Sequence, residues 1–349
     1  MDFEGQKMNI LIVKLSAVGD VIHTLPSLAA LRRLYPEAHI TWVVEEAAAD
    51  LVRNHPYLNE VLVSRRKAWI EQLKQGIIRQ ALSEATAFVK ALRRRHYDLV
   101  IDFHGLFKSS VVVWLSRGKR KLGYASLQEL SGLFVNERIP EDLNKHAVDR
   151  YLDFPRHLGA LIKEAEFVLP KNPPAEEKIE TLMRMHDLQE KNFIAVSPVA
   201  YWETKLWENE NFAHLADMIR KKLGMKVVFT GAEKNVLEKI TNLMESDAVN
   251  LGGQTTLPEL ACLYARAKML ITTDSGPMHL AAAVQTPVVA LFGPTDPRRT
   301  GPYGRGHTVI RTDIPCSPCF LKKCSTKTCM KDIDPLQVFA AVAKKLQGE

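Results

Sequence analysis

The sequence lacks any hydrophobic run of the ~18–20 residues that a membrane-spanning helix needs, so no transmembrane segment is expected. The first seven residues carry mixed charge and lack a signal-peptide pattern, which favours a cytoplasmic protein. Internal repeats are absent. Nucleic-acid-binding motifs and aromatic residues interleaved with basic ones are also absent, so nucleic acid is not expected as a partner. With 46% hydrophobic and 25% charged residues, a chain of 349 residues is typical of a globular protein with two domains.

Positive charge is concentrated in one part of the chain. The formal net charge is +7, but residues 61–121 alone contain fourteen Lys and Arg against four Asp and Glu. Such a patch attracts anions, for example anionic lipid or an acidic substrate, although any single cluster can equally be a solvated helix face. Three clusters in one region favour binding, and they are residues 65–67, 93–95, and 117 with 119–121.

Short apolar runs alternate with segments of helical periodicity, which predicts parallel β-sheets covered by helices on both faces. Strands are predicted at residues 9–15, 40–44, 61–63, 99–103, 193–196, 226–229, 248–251, 269–272 and 287–291. Helices are predicted at residues 24–35, 70–95, 210–223, 257–267 and 277–284.

The proline-rich polar segment 169–174 predicts a linker. It divides the chain into an amino-terminal domain, residues 1–168, and a carboxy-terminal domain, residues 175–349. Ligands of such sheets bind beyond the carboxyl ends of the strands, so two facing domains are expected to share a cleft.

The loop after the first predicted strand differs from a dinucleotide-binding loop. It contains one glycine, Gly19, instead of three, and Asp20 places negative charge where a phosphate would be repelled. The loop is therefore not a typical phosphate-binding loop, and the pattern alone leaves the purpose of Asp20 open.

The best candidate for a phosphate site follows the predicted strand 269–272. Asp274 or Ser275 can cap the next helix, and Gly276 lets a ligand approach the backbone. The amide groups at the start of that helix form an anion site suited to a diphosphate, within reach of His279. The alternative is an ordinary capped helix with His279 in the core.

Two further loops are expected at the same sheet edge. Lys205 follows the predicted strand 193–196 and can neutralise a phosphate, and Glu233 follows 226–229 and can accept hydrogen bonds from ribose hydroxyls. Single Lys and Glu residues on loops are usually only solvated. Their significance comes from their position at successive strand ends.

Seven segments are the basis for a comparison with known families. They are ILIVKLSAVGDVIHTLPSL, WVVEE, DLVIDFHGLFKSS, HAVDRYL, TKLWENENFAHLA, TTDSGPMHLAAA and LFGPTDP. These segments resemble the bacterial heptosyltransferases of glycosyltransferase family 9, occur in the family's order and span nearly the whole chain. The amino-terminal half is most similar to members that add the first heptose to the lipopolysaccharide inner core.

The resemblance implies a GT-B fold, in which two Rossmann-like domains with parallel sheets face a central cleft. It implies inverting transfer of heptose from ADP-heptose, bound by the carboxy-terminal domain, to a Kdo residue on lipid A, bound by the amino-terminal domain. The protein would then lie at the cytoplasmic face of the inner membrane, in peripheral contact with anionic lipid. No Asp-x-Asp motif follows a predicted strand, so no metal or other cofactor is expected to be required.

The family's roles, transferred to matching positions, imply Asp20 as the general base and Lys205 as the group that stabilises the leaving phosphate. The implied donor-binding residues are Ser197, Thr204, Lys205, Glu233, Asp274, Ser275, Gly276 and His279. The implied acceptor-binding residues are Gly19, Arg65, Arg66, Lys67, His104, Lys108 and Arg120.

Four of the five cysteines form a run near the carboxyl end, Cys316, Cys319, Cys324 and Cys329. Their spacing is compatible with zinc or an iron–sulfur cluster. Disulfides are disfavoured in a reducing cytoplasm, and reduced structural thiols are the favoured interpretation.

Other functions stay open at this point. One alternative is a heptosyltransferase that adds the second core heptose, or a transferase that uses a related nucleotide sugar. A nucleotide-sugar epimerase has the same fold and a similar phosphate loop but converts its substrate without an acceptor. A non-catalytic protein that binds sugar nucleotides would bind the donor without releasing ADP.

Overall fold

The computed structural model describes residues 8–126 and 132–348. They form two compact units, one reaching Lys171 and the other starting at Asn172. Within these residues, no helix is both long enough and apolar enough to cross a membrane.

The first unit contains a parallel six-stranded sheet with the strand order β3-β2-β1-β4-β5-β6. Strands β1 to β6 are Asn9–Val13, His39–Glu45, Glu60–Ser64, Leu99–Asp102, Arg120–Tyr124 and Glu137–Ile139. Helices α1 to α5 are Val18–Leu34, Arg66–Lys74, Ile78–Leu92, Phe107–Leu115 and Ala147–His157, and a 3₁₀ helix spans Glu46–Leu51. Strand β1 lies in the middle of the sheet, between β2 and β4. Four of its five side chains are fully buried, as expected for a strand covered on both faces.

The second unit repeats this topology, with the order β12-β11-β10-β7-β8-β9. Strands β7 to β12 are Phe193–Ser197, Lys226–Phe229, Val249–Asn250, Met269–Thr273, Val288–Phe292 and Thr308–Arg311. Helices α6 to α13 are Pro173–Met185, Asn209–Leu223, Lys234–Leu243, Leu257–Arg266, Gly276–Ala283, Pro297–Thr300, Thr328–Lys331 and Pro335–Leu346, and a 3₁₀ helix spans Glu203–Lys205. Both sheets have the Rossmann order, so the predicted α/β class with two Rossmann-like domains is confirmed.

The sequence does not predict three of the observed strands, β5, β6 and β12. Strands β6 and β12 lie at sheet edges, and β5 begins with the exposed Arg120. Edge strands need no continuous apolar run, so the pattern that identifies central strands is weak in them.

Helix α1 begins at Val18, six residues before the predicted start. The Ala17 N–H donates to Asp20 Oδ2 at 3.1 Å, which closes the first turn. The helix is buried on nearly all sides, so it lacks the one-sided apolar pattern that reveals an amphipathic helix.

The predicted helix 70–95 is two helices, α2 and α3. The helix is interrupted at Gly76, whose φ of +77° lies in the left-handed region that favours glycine.

The segment 169–174, predicted as a linker, is partly helical in the structure, because α6 begins inside it at Pro173. Asn172 Oδ1 accepts a hydrogen bond from the Ala175 N–H at 3.1 Å, and the two prolines fit the first helical turn.

Candidate functional site

The carboxyl ends of four neighbouring strands of the first unit, β1 to β4, bring most of the predicted acceptor residues to one sheet edge. This edge is where ligands of Rossmann-like sheets bind. The residues that follow or end these strands are Gly19, Asp20, Glu45, Arg65, Arg66, Lys67, His104 and Lys108.

Asp20 is held by a short chain of hydrogen bonds. Its Oδ2 accepts from the Ala17 N–H, and its Oδ1 accepts from the Tyr151 hydroxyl at 3.2 Å. The Lys14 ammonium donates to the same Tyr151 oxygen at 2.6 Å and to the Phe103 carbonyl at 3.0 Å. Both Lys14 and Tyr151 are buried, whereas the Asp20 side chain is half-buried.

The surroundings keep Asp20 ionised. Burial raises the pKa of the Asp20 carboxyl, but the nearby Lys14 ammonium and the Ala17 N–H outweigh it and hold that pKa below its ordinary value. Burial in turn lowers the pKa of the Lys14 ammonium, against the opposing attraction of Asp20 and Asp102. A carboxylate that is charged at neutral pH is able to accept a proton.

Next to it, His104 is neutral. Burial and the positive charges of Lys14 and Lys108 lower the pKa of the His104 imidazole to about 3. Asp102, whose pKa is raised by burial, accepts hydrogen bonds from the backbone N–H of His104 at 2.9 Å and from the Ser109 hydroxyl at 2.9 Å. This loop therefore offers a neutral imidazole for hydrogen bonding, not a positive charge.

The buried carboxylate of Glu45 gathers three cations. Arg66 Nη2 lies 3.2 Å and Lys108 Nζ 3.6 Å from Glu45 Oε1, and Lys67 Nζ lies 4.0 Å from Oε2. Lys108 also donates to Ser16 Oγ at 2.7 Å. One negative charge holding three positive ones leaves a site with net positive charge, which suits an anionic ligand.

Arg65 lies beside this group and pairs with Glu46 at 3.3 Å and with Glu84 at 3.1 Å. A cavity of about 240 Å³ opens here. Its lining residues are Glu45, Glu46, Ala47, Ser64, Arg65, Lys67 and Ala68.

Arg120 does not join the other predicted acceptor residues. It is the first residue of β5, so it lies at the amino edge of the parallel sheet, opposite the carboxyl ends. Its guanidinium makes a bidentate pair with Glu137, at 3.0 and 3.1 Å. Charge clustering in the sequence indicates neither the position of Arg120 at the amino edge nor its pairing with Glu137. The direction of the strand decides which edge a residue occupies.

In the second unit, the ends of β7, β10 and β11 bring together the residues predicted to contact a leaving phosphate. Lys205 Nζ lies 2.6 Å from Asp274 Oδ2, and the same oxygen accepts a hydrogen bond from Thr295 Oγ1 at 2.6 Å. The Lys205 ammonium also lies 4.5 Å from the centre of the Trp202 ring. These contacts hold the lysine at the sheet edge where the sequence predicts it.

Helix α10 starts at this edge. Ser275 is its N-cap in an extended conformation, and its Oγ lies 3.3 Å from Thr272 Oγ1 instead of capping the helix. Gly276 is the first helical residue, so the amide groups predicted to bind an anion lie at this edge of the sheet. The His279 side chain is buried in the second unit.

The remaining predicted donor residues occupy different environments. Ser197 ends β7 and is fully buried. Thr204 is also buried, and its hydroxyl donates to the Leu321 carbonyl at 2.7 Å. Glu233 is exposed at the N-cap of α8, following β8, which pairs directly with β7.

The cysteine run contains free thiols. Cys329 is buried in α12, whereas Cys316 and Cys324 are exposed. Within residues 8–126 and 132–348, no group of three or more His, Cys, Asp or Glu side chains is arranged to hold a metal ion.

Sequence reasoning missed five residues that shape these sites: Lys14, Glu45, Asp102 and Tyr151 in the first unit and Thr295 in the second. Lys14 has the most visible signal, since it directly follows four consecutive apolar residues, and buried lysines are rare. Tyr151 lies 131 residues from its partner Asp20, so no local pattern connects them.

Comparison with known proteins shows consistent similarity. The model of the family described as glycosyltransferase family 9 (heptosyltransferase) matches residues 85–330. Lipopolysaccharide heptosyltransferase 1 of Pseudomonas aeruginosa is 31% identical, over 93% of this chain and 90% of that protein. A family 9 glycosyltransferase structure from Veillonella parvula superimposes with a TM-score of 0.81 at 26% identity, covering 98% of each chain. An Escherichia coli heptosyltransferase with ADP-2-deoxy-2-fluoro heptose gives 0.77 at 25% identity, over 97% of this chain and 99% of that one.

Proposed function

The chain belongs to glycosyltransferase family 9, the heptosyltransferases, and from that premise we propose that it transfers heptose from ADP-heptose to a Kdo residue of the lipopolysaccharide inner core. The observation that carries this proposal is the 31% identity with lipopolysaccharide heptosyltransferase 1 of Pseudomonas aeruginosa across nearly the full length of both proteins. The ionised, half-buried carboxylate of Asp20 gives the first unit the group that such a reaction needs.

Asp20 is the proposed general base. Its carboxylate takes the proton of the acceptor hydroxyl while the hydroxyl oxygen attacks the anomeric carbon of the donor. The bond between that carbon and the diphosphate oxygen breaks, and ADP leaves from the opposite face, which inverts the configuration. The hydrogen bonds from Ala17 and Tyr151 orient the carboxylate for this step.

Lys205 and the start of α10 are proposed to stabilise the departing diphosphate. An ammonium has three donor hydrogens, so Lys205 has donors left for phosphate oxygens while it pairs with Asp274, whose carboxylate also accepts a hydrogen bond from Thr295. The amide groups that begin α10 add positive potential beside it. With these groups supplying the positive charge, the proposed reaction needs no metal or other cofactor.

The cations gathered by Glu45 are proposed to bind the carboxylates and phosphates of the acceptor. Arg66, Lys67 and Lys108 are held close together at one edge, with Arg65 beside them. His104 supplies hydrogen bonds instead of charge. Arg120 is left out of this site because it lies at the other edge of the sheet.

Since the proposed acceptor is a membrane lipid, the enzyme is proposed to act peripherally at the cytoplasmic face of the inner membrane. The proposed acceptor also separates this function from its alternatives. An enzyme that adds the second heptose would require an acceptor that already carries one.

The decisive experiment follows ADP release from ADP-heptose with and without Kdo-lipid A. We expect release only with the acceptor, together with a product that is heavier by one heptose. Conversion of ADP-heptose without an acceptor would favour an epimerase if ADP stays attached to the sugar and a hydrolase if ADP is released. Binding without conversion would favour a sugar-nucleotide binding protein. Release only with heptosyl-Kdo-lipid A would assign the second transfer instead of the first.

A further inference from the structure

Helices α2 and α3 form a hairpin that contributes few side chains to the core of the first unit. Helix α2 buries none of its nine residues, and the fifteen residues of α3 include two buried ones, Ala81 and Leu92. A surface helix of a globular protein normally buries an apolar stripe. The part of the hairpin around the turn between α2 and α3 is therefore held mainly by contacts between the two helices.

Helices α2 and α3 pack against each other through aromatic and hydrogen-bonding side chains. The rings of Trp69 and Phe88 lie 5.6 Å apart, and Glu84 accepts hydrogen bonds from Trp69 Nε1 at 3.1 Å and from Gln72 at 3.3 Å. Phe88 also packs against the core beneath the sheet. The apolar residues elsewhere on the hairpin are thus not the stripe that anchors it.

Five large aliphatic side chains remain exposed on the hairpin, at 41–56% of their full accessibility. They are clustered around the turn between the helices. They are Ile70, Leu73, Ile77, Ile78 and Leu82. Their spacing of three or four residues within each helix places them on continuous stripes. A concentration of exposed aliphatic residues of this kind marks an interaction surface.

Positive charge accompanies these stripes. Residues 65–82 contain five Lys and Arg and a single acidic residue, Glu71. Lys74 is 70% exposed at the end of α2, with its ammonium 3.8 Å from Glu71, and Arg79 is exposed at the start of α3. Aliphatic side chains flanked by cations match a membrane surface of anionic lipid, which offers an acyl boundary below negative head groups.

We propose that the tip of the α2–α3 hairpin, residues 70–82, docks this protein on a bilayer of anionic phospholipid. Ile70, Leu73, Ile77, Ile78 and Leu82 enter the boundary between head groups and acyl chains, while Lys74 and Arg79 pair with lipid phosphates. This proposal deepens the proposed function by naming the surface that contacts the membrane of the lipid acceptor. It rests on the proposed function in one respect, namely that a lipid acceptor brings the protein to a membrane.

The test is sedimentation of the full-length protein with vesicles that contain no acceptor lipid. One set consists of phosphatidylglycerol and phosphatidylcholine in a 1:3 ratio, and the other of phosphatidylcholine alone. Strong binding is expected for the anionic set and weak binding for the neutral one. Ile78→Ser with Leu82→Ser is expected to lower the partition coefficient roughly fivefold per side chain. Lys74→Gln with Arg79→Gln should lower it roughly fivefold per charge, less in high salt.

A matched control is Leu243→Ser with Leu336→Ser, two similarly exposed leucines of the second unit, which should bind like the wild type. Equal binding to both vesicle sets, or unchanged binding by the hairpin variants, would overturn the proposal. Sedimentation velocity without lipid tests the alternative occupant, since self-association that the Ile78 and Leu82 changes abolish would assign the surface to a second copy of the chain.

Failure of docking and failure of the proposed function are distinguishable. Vesicle binding requires no turnover, so it persists if the substrates differ from those proposed. Conversely, transfer to a detergent-dispersed acceptor is expected to survive the Ile78→Ser and Leu82→Ser changes. A loss of transfer there, with the fold intact by circular dichroism, would show that these side chains act in the reaction and not in docking.

Discussion

Replacing Lys14 by methionine is expected to move the acid limb of the pH profile of kcat/KM to higher pH. Lys14 Nζ and Asp20 Oδ1 both contact the Tyr151 oxygen, at 2.6 and 3.2 Å. The two charges therefore lie no more than about 6 Å apart, and at an effective dielectric constant of about 20 they attract by about 3 kcal/mol. An interaction of that size corresponds to a movement of about two pH units.

The direction follows from the groups around Asp20. Burial raises the pKa of its carboxyl, and Lys14 leads the groups that lower it, followed by Ala17, His104 and Tyr151. In the wild type the proposed base stays ionised to below the ordinary pKa range of an aspartate, so kcat/KM is expected to be flat from neutral pH to about pH 5. Without the ammonium, burial is less well compensated, so the pKa of the Asp20 carboxyl rises and the proposed base becomes protonated at a higher pH than in the wild type.

The assay is the initial rate of ADP release between about pH 5 and pH 9. Lys14→Arg keeps the charge and should keep the limb in place. Tyr151→Phe keeps the Lys14 charge but removes one hydrogen bond, so its limb should move less, in the same direction. The other charged groups that face Lys14 are Asp102, Arg150 and Lys108, and none of these variants changes them. A Lys14→Met enzyme that loses the same factor at every pH would refute the reasoning.

The other predictions concern the proposed roles directly. Asp20→Asn is expected to bind the donor normally but to lose about 10²–10⁴-fold in kcat, and near-normal ADP release would exclude it as the base. Lys205→Ala should lower kcat/KM for the donor, and unchanged donor kinetics would show that the ammonium does not contact the diphosphate. Neutralising Arg65, Arg66 and Lys67 together should raise the acceptor KM more than the donor KM, whereas the reverse result would assign the cluster to the donor. Treatment with a chelator should leave the rate unchanged, and a loss that added metal restores would contradict the proposed metal-free reaction.

The central strands of both sheets could be predicted because their signal is local. Strands β7 and β10 are fully buried and read as short, nearly continuous apolar runs bounded by polar loops. The edge strands β6 and β12 carry no such run, and α1 is buried on too many sides to show a helical stripe. Those elements are specified by their neighbours in the fold, which a sequence window does not contain.

The sequence by itself determined that the chain folds into two α/β halves, and it identified Asp20, Lys205 and Asp274 as candidates, because each follows an apolar run at a predicted strand end. Only the tertiary structure decided which charged groups meet. Lys14 and Asp20 share the Tyr151 hydroxyl because α5 brings a residue from far along the chain against the end of β1. Arg120 belongs to a basic cluster in the sequence but lies apart from the others, because the direction of β5 puts its first residue at the opposite edge of the sheet.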